Sequence, residues 1–93
     1  TLEAVAELPP GEGHVLLDLR TEAEFRRGHD PRALHFDFAH ALDLFTRLDK
    51  RAAYYVYCNV GLKSANLVER MRAAGYRAVV YQPERQAAPA GEG

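Results

Sequence analysis

The chain has 93 residues, 12 of them Lys or Arg and 13 Asp or Glu, for a formal net charge of -1. That length fits one domain burying about 60% of its unfolded surface, which needs no disulfide or metal to stand, and the single cysteine excludes an internal disulfide or a multi-thiolate zinc cluster. The balanced charge offers no basic excess for nucleic acid, and no apolar run approaches the length that spans a bilayer.

At the start, Leu2, Val5 and Leu8 fall at helical spacing before Pro9-Pro10-Gly11, which predicts a short amphipathic helix or turn. His14 to Leu19 is a mainly apolar run carrying Asp18 and followed by Arg20, the pattern of a strand buried on both faces of a parallel sheet. Asp18 and Arg20 therefore lie near its carboxyl end, where ligands gather in open α/β sheets. Both a structural ion pair and a contribution to an active-site field are open to them. Thr21 can cap a helix in which Glu24 completes a capping box and Gly28 marks the end. Leu34, Phe36 and Phe38 alternate with His35 and Asp37, which predicts a strand with one buried face and with His35 and His40 turned to solvent. Leu42, Phe45 and Leu48 then share one face of a helix over residues 41–48, closed by the positive charge of Lys50-Arg51.

Tyr54 to Tyr57 is a short apolar strand that delivers Cys58 onto a tight loop, Cys58-Asn59-Val60-Gly61-Leu62-Lys63-Ser64, ahead of a helix over residues 65–74. Leu67, Val68 and Met71 form the apolar face of that helix, and Gly75 stops it. Ala78 to Tyr81 is a last apolar strand ended by Pro83; residues 85–93, rich in Ala, Pro and Gly, read as a flexible tail behind a domain of residues 1–84. Strands alternating with helices predict an α/β fold, with a mostly parallel sheet of four to five strands covered by helices on both faces.

A chain that turns from a buried parallel strand into a helix aims backbone N–H groups, and the positive end of the helix dipole, at the first loop position. Cys58 occupies that position. Such donors and a nearby Lys63 ammonium favour the thiolate, the nucleophilic form of cysteine. Gly61 permits the positive φ of a curling loop, and Ser64 suits a helix cap. A lone cysteine at a strand end is, on its own, equally readable as a small inert hydrophobe.

Cys58-x-x-Gly61-x-Lys63-Ser64 after an apolar strand resembles the active-site loop of rhodanese-like domains, whose pattern is Cys-x-x-Gly-x-Arg/Lys-Ser. Upstream, Leu16-Leu17-Asp18-Leu19-Arg20, Glu22, Glu24-Phe25, Gly28-His29 and Ala33 resemble that family's strand ending in Asp-x-Arg, its acidic helix and its Gly-His-x-Pro-x-Ala turn. The two motifs together reach from Val15 to Tyr81. Asp30 and Arg32 depart from the family, which has an aliphatic residue and a glycine there, and the family's glycine-rich turn and closing helix after the last strand have no counterpart in the sequence.

The resemblance implies a five-stranded sheet with Cys58 at its mouth, a structural role for His29 in the Gly-His turn, and a sulfurtransferase or sulfur carrier; a cytoplasmic location is the expectation from a sequence with no visible signal peptide. In it Cys58 takes sulfane sulfur from a small donor, thiosulfate or a persulfide, and passes it to cyanide, a thiol or a protein acceptor. Asn59, Val60, Gly61, Leu62, Lys63 and Ser64 are the expected persulfide-binding loop, with Asp18 and Arg20 in support, and neither cofactor nor metal is implied. An alternative is a binding or redox-sensing module with an inert Cys58. Related phosphatase and arsenate reductase loops place arginine after five intervening residues, for bidentate grip on an oxyanion; here that position is Ser64, and Lys63 comes one place early.

Overall fold

The computed structural model describes residues 4–9, 11, 13–59 and 61–83. The strands are β1 (Ala4–Val5), β2 (His14–Asp18), β3 (Ala33–His35), β4 (Ala53–Tyr57) and β5 (Arg77–Tyr81), and they form one sheet in the order β1-β5-β4-β2-β3. Every pairing is parallel. The connecting helices are α1 (Glu22–Arg27), α2 (Phe38–Leu44), continued by a 3₁₀ turn over Phe45–Arg47, and α3 (Leu62–Ala73).

This order creates a switch point. From β2 the chain crosses through α1 to β3 on one side, whereas from β4 it crosses through α3 to β5 on the other. Right-handed crossovers running in opposite directions put their helices on opposite faces. The packing agrees: Phe25 of α1 stacks on His35, in register with Asp18 on one face, while Leu67, Val68 and Met71 of α3 pack with Leu17, Val56 and Val80 on the other. The β2–β4 register pairs Asp18 with Tyr57, so the chain leaves both strands at one level, where helices diverge and a crevice opens.

The α3 face holds most of the core. Val56, Leu67, Val68 and Met71 are fully buried and Tyr54, Ala78 and Val80 nearly so. Tyr54 and Tyr76 reach into this layer with their rings and satisfy their hydroxyls by donating to the carbonyls of Asp49 and Leu48, both at 2.7 Å. On the α1 face, Leu16, Ala33, Tyr57 and Tyr81 line a cleft of about 220 Å³, and among the described residues no helix follows β5.

Several sequence expectations are corrected. Ala4–Val5 is a strand paired with Val80–Tyr81, not part of a helix; two residues suffice to extend the edge of a sheet, and their spacing carries no period to reveal it. The strand expected over residues 34–38 ends at His35, and α2 begins at Phe38, three residues before the expected start. Within β3 the two faces are exchanged: Leu34 is 59% exposed on an edge strand, whereas His35 is half-buried with Nε2 2.7 Å from the carbonyl of Arg20; Phe36 and Phe38 pack against the core as expected. His40 is exposed as expected. The tail over residues 85–93 lies outside the described residues.

Candidate active site

Cys58 is the first residue after β4, at the switch point, and only 2% exposed. Its Sγ accepts hydrogen bonds from the backbone N–H of Gly61 at 3.2 Å and of Ser64 at 3.3 Å. These are among the orphan donors of the first turn of α3, so the sulfur itself caps the helix. The Ser64 hydroxyl lies 3.4 Å from Sγ and donates to the carbonyl of Gly61 at 3.2 Å.

That arrangement revises the expected loop. α3 begins at Leu62, so Leu62, Lys63 and Ser64 belong to its first turn, and Gly61, not Ser64, is the cap residue. Ser64 is buried beneath the sulfur, where its side chain and its N–H both serve Cys58. Gly61 has φ +85°, the left-handed region, and a Cβ there would come within 2.5 Å of Gln82 Nε2. Val60 lies outside the described residues.

Above the sulfur lies a cleft of about 330 Å³ lined by Arg20, Glu24, Cys58, Asn59, Leu62 and Lys63. Leu62 is 75% exposed on its rim. The Lys63 ammonium rests 5.7 Å over the Phe38 ring, an arrangement that leaves its charge available to solvent and solutes. Arg20 is differently placed. Its Nε is 3.0 and 3.1 Å from the two Asp18 oxygens and its Nη2 2.8 Å from Oδ2, while the same Nη2 also donates to the carbonyl of Gly28 at 2.8 Å. Asp18 is buried and also accepts from the Arg20 N–H, and the guanidinium lies 5.2 Å over the Tyr57 ring. The Asp18 hydrogen bonds hold the Arg20 guanidinium charged beyond its usual range. The pair clamps the β2–α1 turn to the end of α1 and presents one neutralised cation to the cleft.

One residue of the cleft carries only the signal of a helix cap in the sequence. Glu24 does complete the capping box, its Oε1 accepting from the N–H and hydroxyl of Thr21 at 3.1 and 3.2 Å. Its Oε2 accepts from Asn59 Nδ2 at 2.6 Å. The Thr21 N–H first, then the Asn59 amide, hold the Glu24 carboxyl below the usual carboxylate range. A contact spanning 35 residues leaves no local signal in the sequence. His29, by contrast, is structural: Nδ1 lies 2.7 Å from the carbonyl of Phe25, and its ring stacks on Phe25 at 3.6 Å. Asp30 and Arg32, the two departures in this turn, pair with each other at 2.7 Å.

A cysteine at the switch point of a parallel sheet, capping the next helix with its sulfur at the floor of an open cleft, defines an α/β domain built around one sulfur. The chain belongs to the rhodanese-like domain family, whose sequence profile matches residues 1–82. It is 32% identical over 78 residues to a tRNA sulfurtransferase of Pyrobaculum aerophilum, covering 84% of this chain and 16% of that protein. It is 31% identical over 64 residues to a tRNA sulfurtransferase of Thermoplasma acidophilum, covering 69% and 13%. The chain thus spans about a sixth or less of the length of these relatives. Among solved structures, a rhodanese-like domain protein from Staphylococcus aureus superposes with a TM-score of 0.69 at 29% identity, over 81% of this chain and 74% of that one. A protein from Staphylococcus saprophyticus shares the fold, with a TM-score of 0.72 at 23% identity over 88% and 83%. Among the described residues, no helix is long and apolar enough to cross a membrane.

Proposed function

We propose that this chain is a sulfurtransferase or sulfur-carrier domain in which Cys58 holds sulfane sulfur as a persulfide. The observation that carries the reading is the pair of N–H groups, from Gly61 and Ser64, converging on Sγ. They are fixed before reaction and suit a sulfur anion, so that stabilising it requires little reorganisation. With thiosulfate as donor, the Cys58 thiolate attacks the outer sulfur, a new S–S bond forms to Sγ, and sulfite leaves with the electron pair of the broken bond. In the second half the outer sulfur is attacked by cyanide or a thiol, and Cys58 departs as thiolate, which completes a ping-pong cycle. Lys63 at the cleft rim attracts an anionic donor. Asn59 and Gly61 before α3, and Leu62 and Ser64 in its first turn, surround the sulfur, and the Asp18–Arg20 clamp supports the wall facing it. A small donor or a protein acceptor fits a site read mostly through backbone amides, and a cytoplasmic setting keeps such a lone thiol reduced.

The burial of Cys58, at 2% exposure, favours a second reading, an inert cysteine in a binding module. Thiocyanate formation from thiosulfate and cyanide separates the two. The parent chain is expected to turn over and Cys58→Ser to be inactive with an unchanged circular dichroism spectrum; a Cys58→Ser variant with parental turnover overturns the proposal.

A further inference from the structure

The charge around the sulfur is divided. Of the ionic groups lining the cleft, Arg20 is neutralised by the buried Asp18, which leaves Glu24 and Lys63. They come from different elements: Glu24 from α1, held by Asn59 and Thr21, and Lys63 from the first turn of α3, with its ammonium over Phe38. Cys58 lines the same cleft. Glu24 is tightly placed, because both of its oxygens accept, one from Thr21 and the other from Asn59. A carboxylate serves both partners, whereas an amide has a single acceptor oxygen.

We infer that Glu24 is a specificity-determining residue, and that with Lys63 it selects a zwitterionic amino-acid thiol or its persulfide as the sulfur partner of Cys58. The inference rests on the sulfurtransferase reading and names a substrate class for it. A dianion such as thiosulfate meets one favourable and one unfavourable charge at this mouth. A small thiol carrying an ammonium and a carboxylate near its sulfur meets Glu24 with the first and Lys63 with the second, and its sulfur is left to face Cys58. In the loading direction the Cys58 thiolate attacks the outer sulfur of R–S–SH; a new S–S bond to Sγ forms, the S–S bond of the donor breaks, R–S⁻ leaves with the electron pair, and Cys58 is left as its persulfide. Discharge is the reverse, with R–S⁻ attacking the outer sulfur of the Cys58 persulfide. Atoms and charge balance without an oxidant or reductant.

The test loads Cys58 with sulfur, verifies the gain of one sulfur atom by intact mass, and follows discharge by L-cysteine, cysteamine, 3-mercaptopropionate and 2-mercaptoethanol. For each thiol the rate of a variant is divided by that of the parent, so that intrinsic nucleophilicity cancels. Glu24→Gln is expected to slow L-cysteine and cysteamine about fivefold relative to 2-mercaptoethanol, the range of a partly exposed charge pair. Lys63→Met is expected to slow L-cysteine and 3-mercaptopropionate by a similar factor and to spare cysteamine. In the unmodified chain, salt is expected to erode the advantage of L-cysteine over 2-mercaptoethanol, a readout that needs no variant. A chain that takes no sulfur from either thiosulfate or a small organic persulfide overturns the sulfurtransferase reading and this inference with it. A loaded chain on which Glu24→Gln changes all four thiols by the same factor, or on which salt leaves the ratio of L-cysteine to 2-mercaptoethanol unchanged, overturns this inference alone.

Discussion

Cys58 and Gly61 carry the site between them, one as acceptor and the other as the residue that lets the chain bend back to supply donors. Gly61 sits at φ +85°, where an L side chain costs roughly 1–2 kcal/mol. Gly61→Ala is therefore expected to lower stability by about that amount and to slow sulfur loading, since the displaced N–H is one that Sγ accepts. The added Cβ would also press on Gln82 Nε2, but a flexible amide can swing away. Urea melts of Gly61→Ala with and without Gln82→Ala decide the cause: the second change is expected to restore nothing, and full rescue would place the cost in the clash. In the sequence the Cys58, Gly61 and Lys63 pattern was legible because it is local. The second task of Glu24 was not, because its capping role accounted for it within its own helix.

At the scale of elements, α3 shows why a periodic pattern reads well. Leu67, Val68 and Met71 fall on one face, are all fully buried, and are followed by Gly75 at φ +96°. Leu67→Ala is expected to cost about 2–5 kcal/mol, as for other buried leucines. Leu62→Ala, on the same helix but at 75% exposure, is expected to stay within about 0.5 kcal/mol. Equal losses in a urea titration would show that α3 does not pack as described. On α1 the capping box was also readable, since Thr21 and Glu24 declare it by spacing. Thr21→Ala is expected to cost about 1 kcal/mol and to loosen Glu24, which both caps the helix and holds Asn59. The edges were illegible for a different reason. β1 is too short to show a period, and the exposure of Leu34 follows from the position of β3 in the sheet, which alternation along one strand does not encode.

For the whole molecule, the decisive feature is the strand order. Alternating elements announced an α/β fold, but only the order β1-β5-β4-β2-β3 puts the ends of β2 and β4 side by side and brings Arg20 and Glu24 beside Cys58. Charge acts globally as well. Thr21 and Asn59 hold the Glu24 carboxyl low, and Arg32 and Arg51 do the same for Asp30 and Asp49. A carboxylate depressed in the folded state contributes stability above its unfolded value and loses it as pH falls through the folded one. The urea midpoint is therefore expected to decline gently from about pH 5 to about pH 3, gently because these groups are largely solvated. A midpoint rising over that interval would contradict the sign.

The measurement that bears most directly on the central claim is the intact mass of the chain after incubation with thiosulfate, before and after a thiol wash, beside a Cys58→Ser control. A gain of one sulfur atom is expected, located at Cys58, removed by the thiol and missing from the control. No gain, with Cys58 also inert toward an alkylating reagent at neutral pH, would contradict that claim.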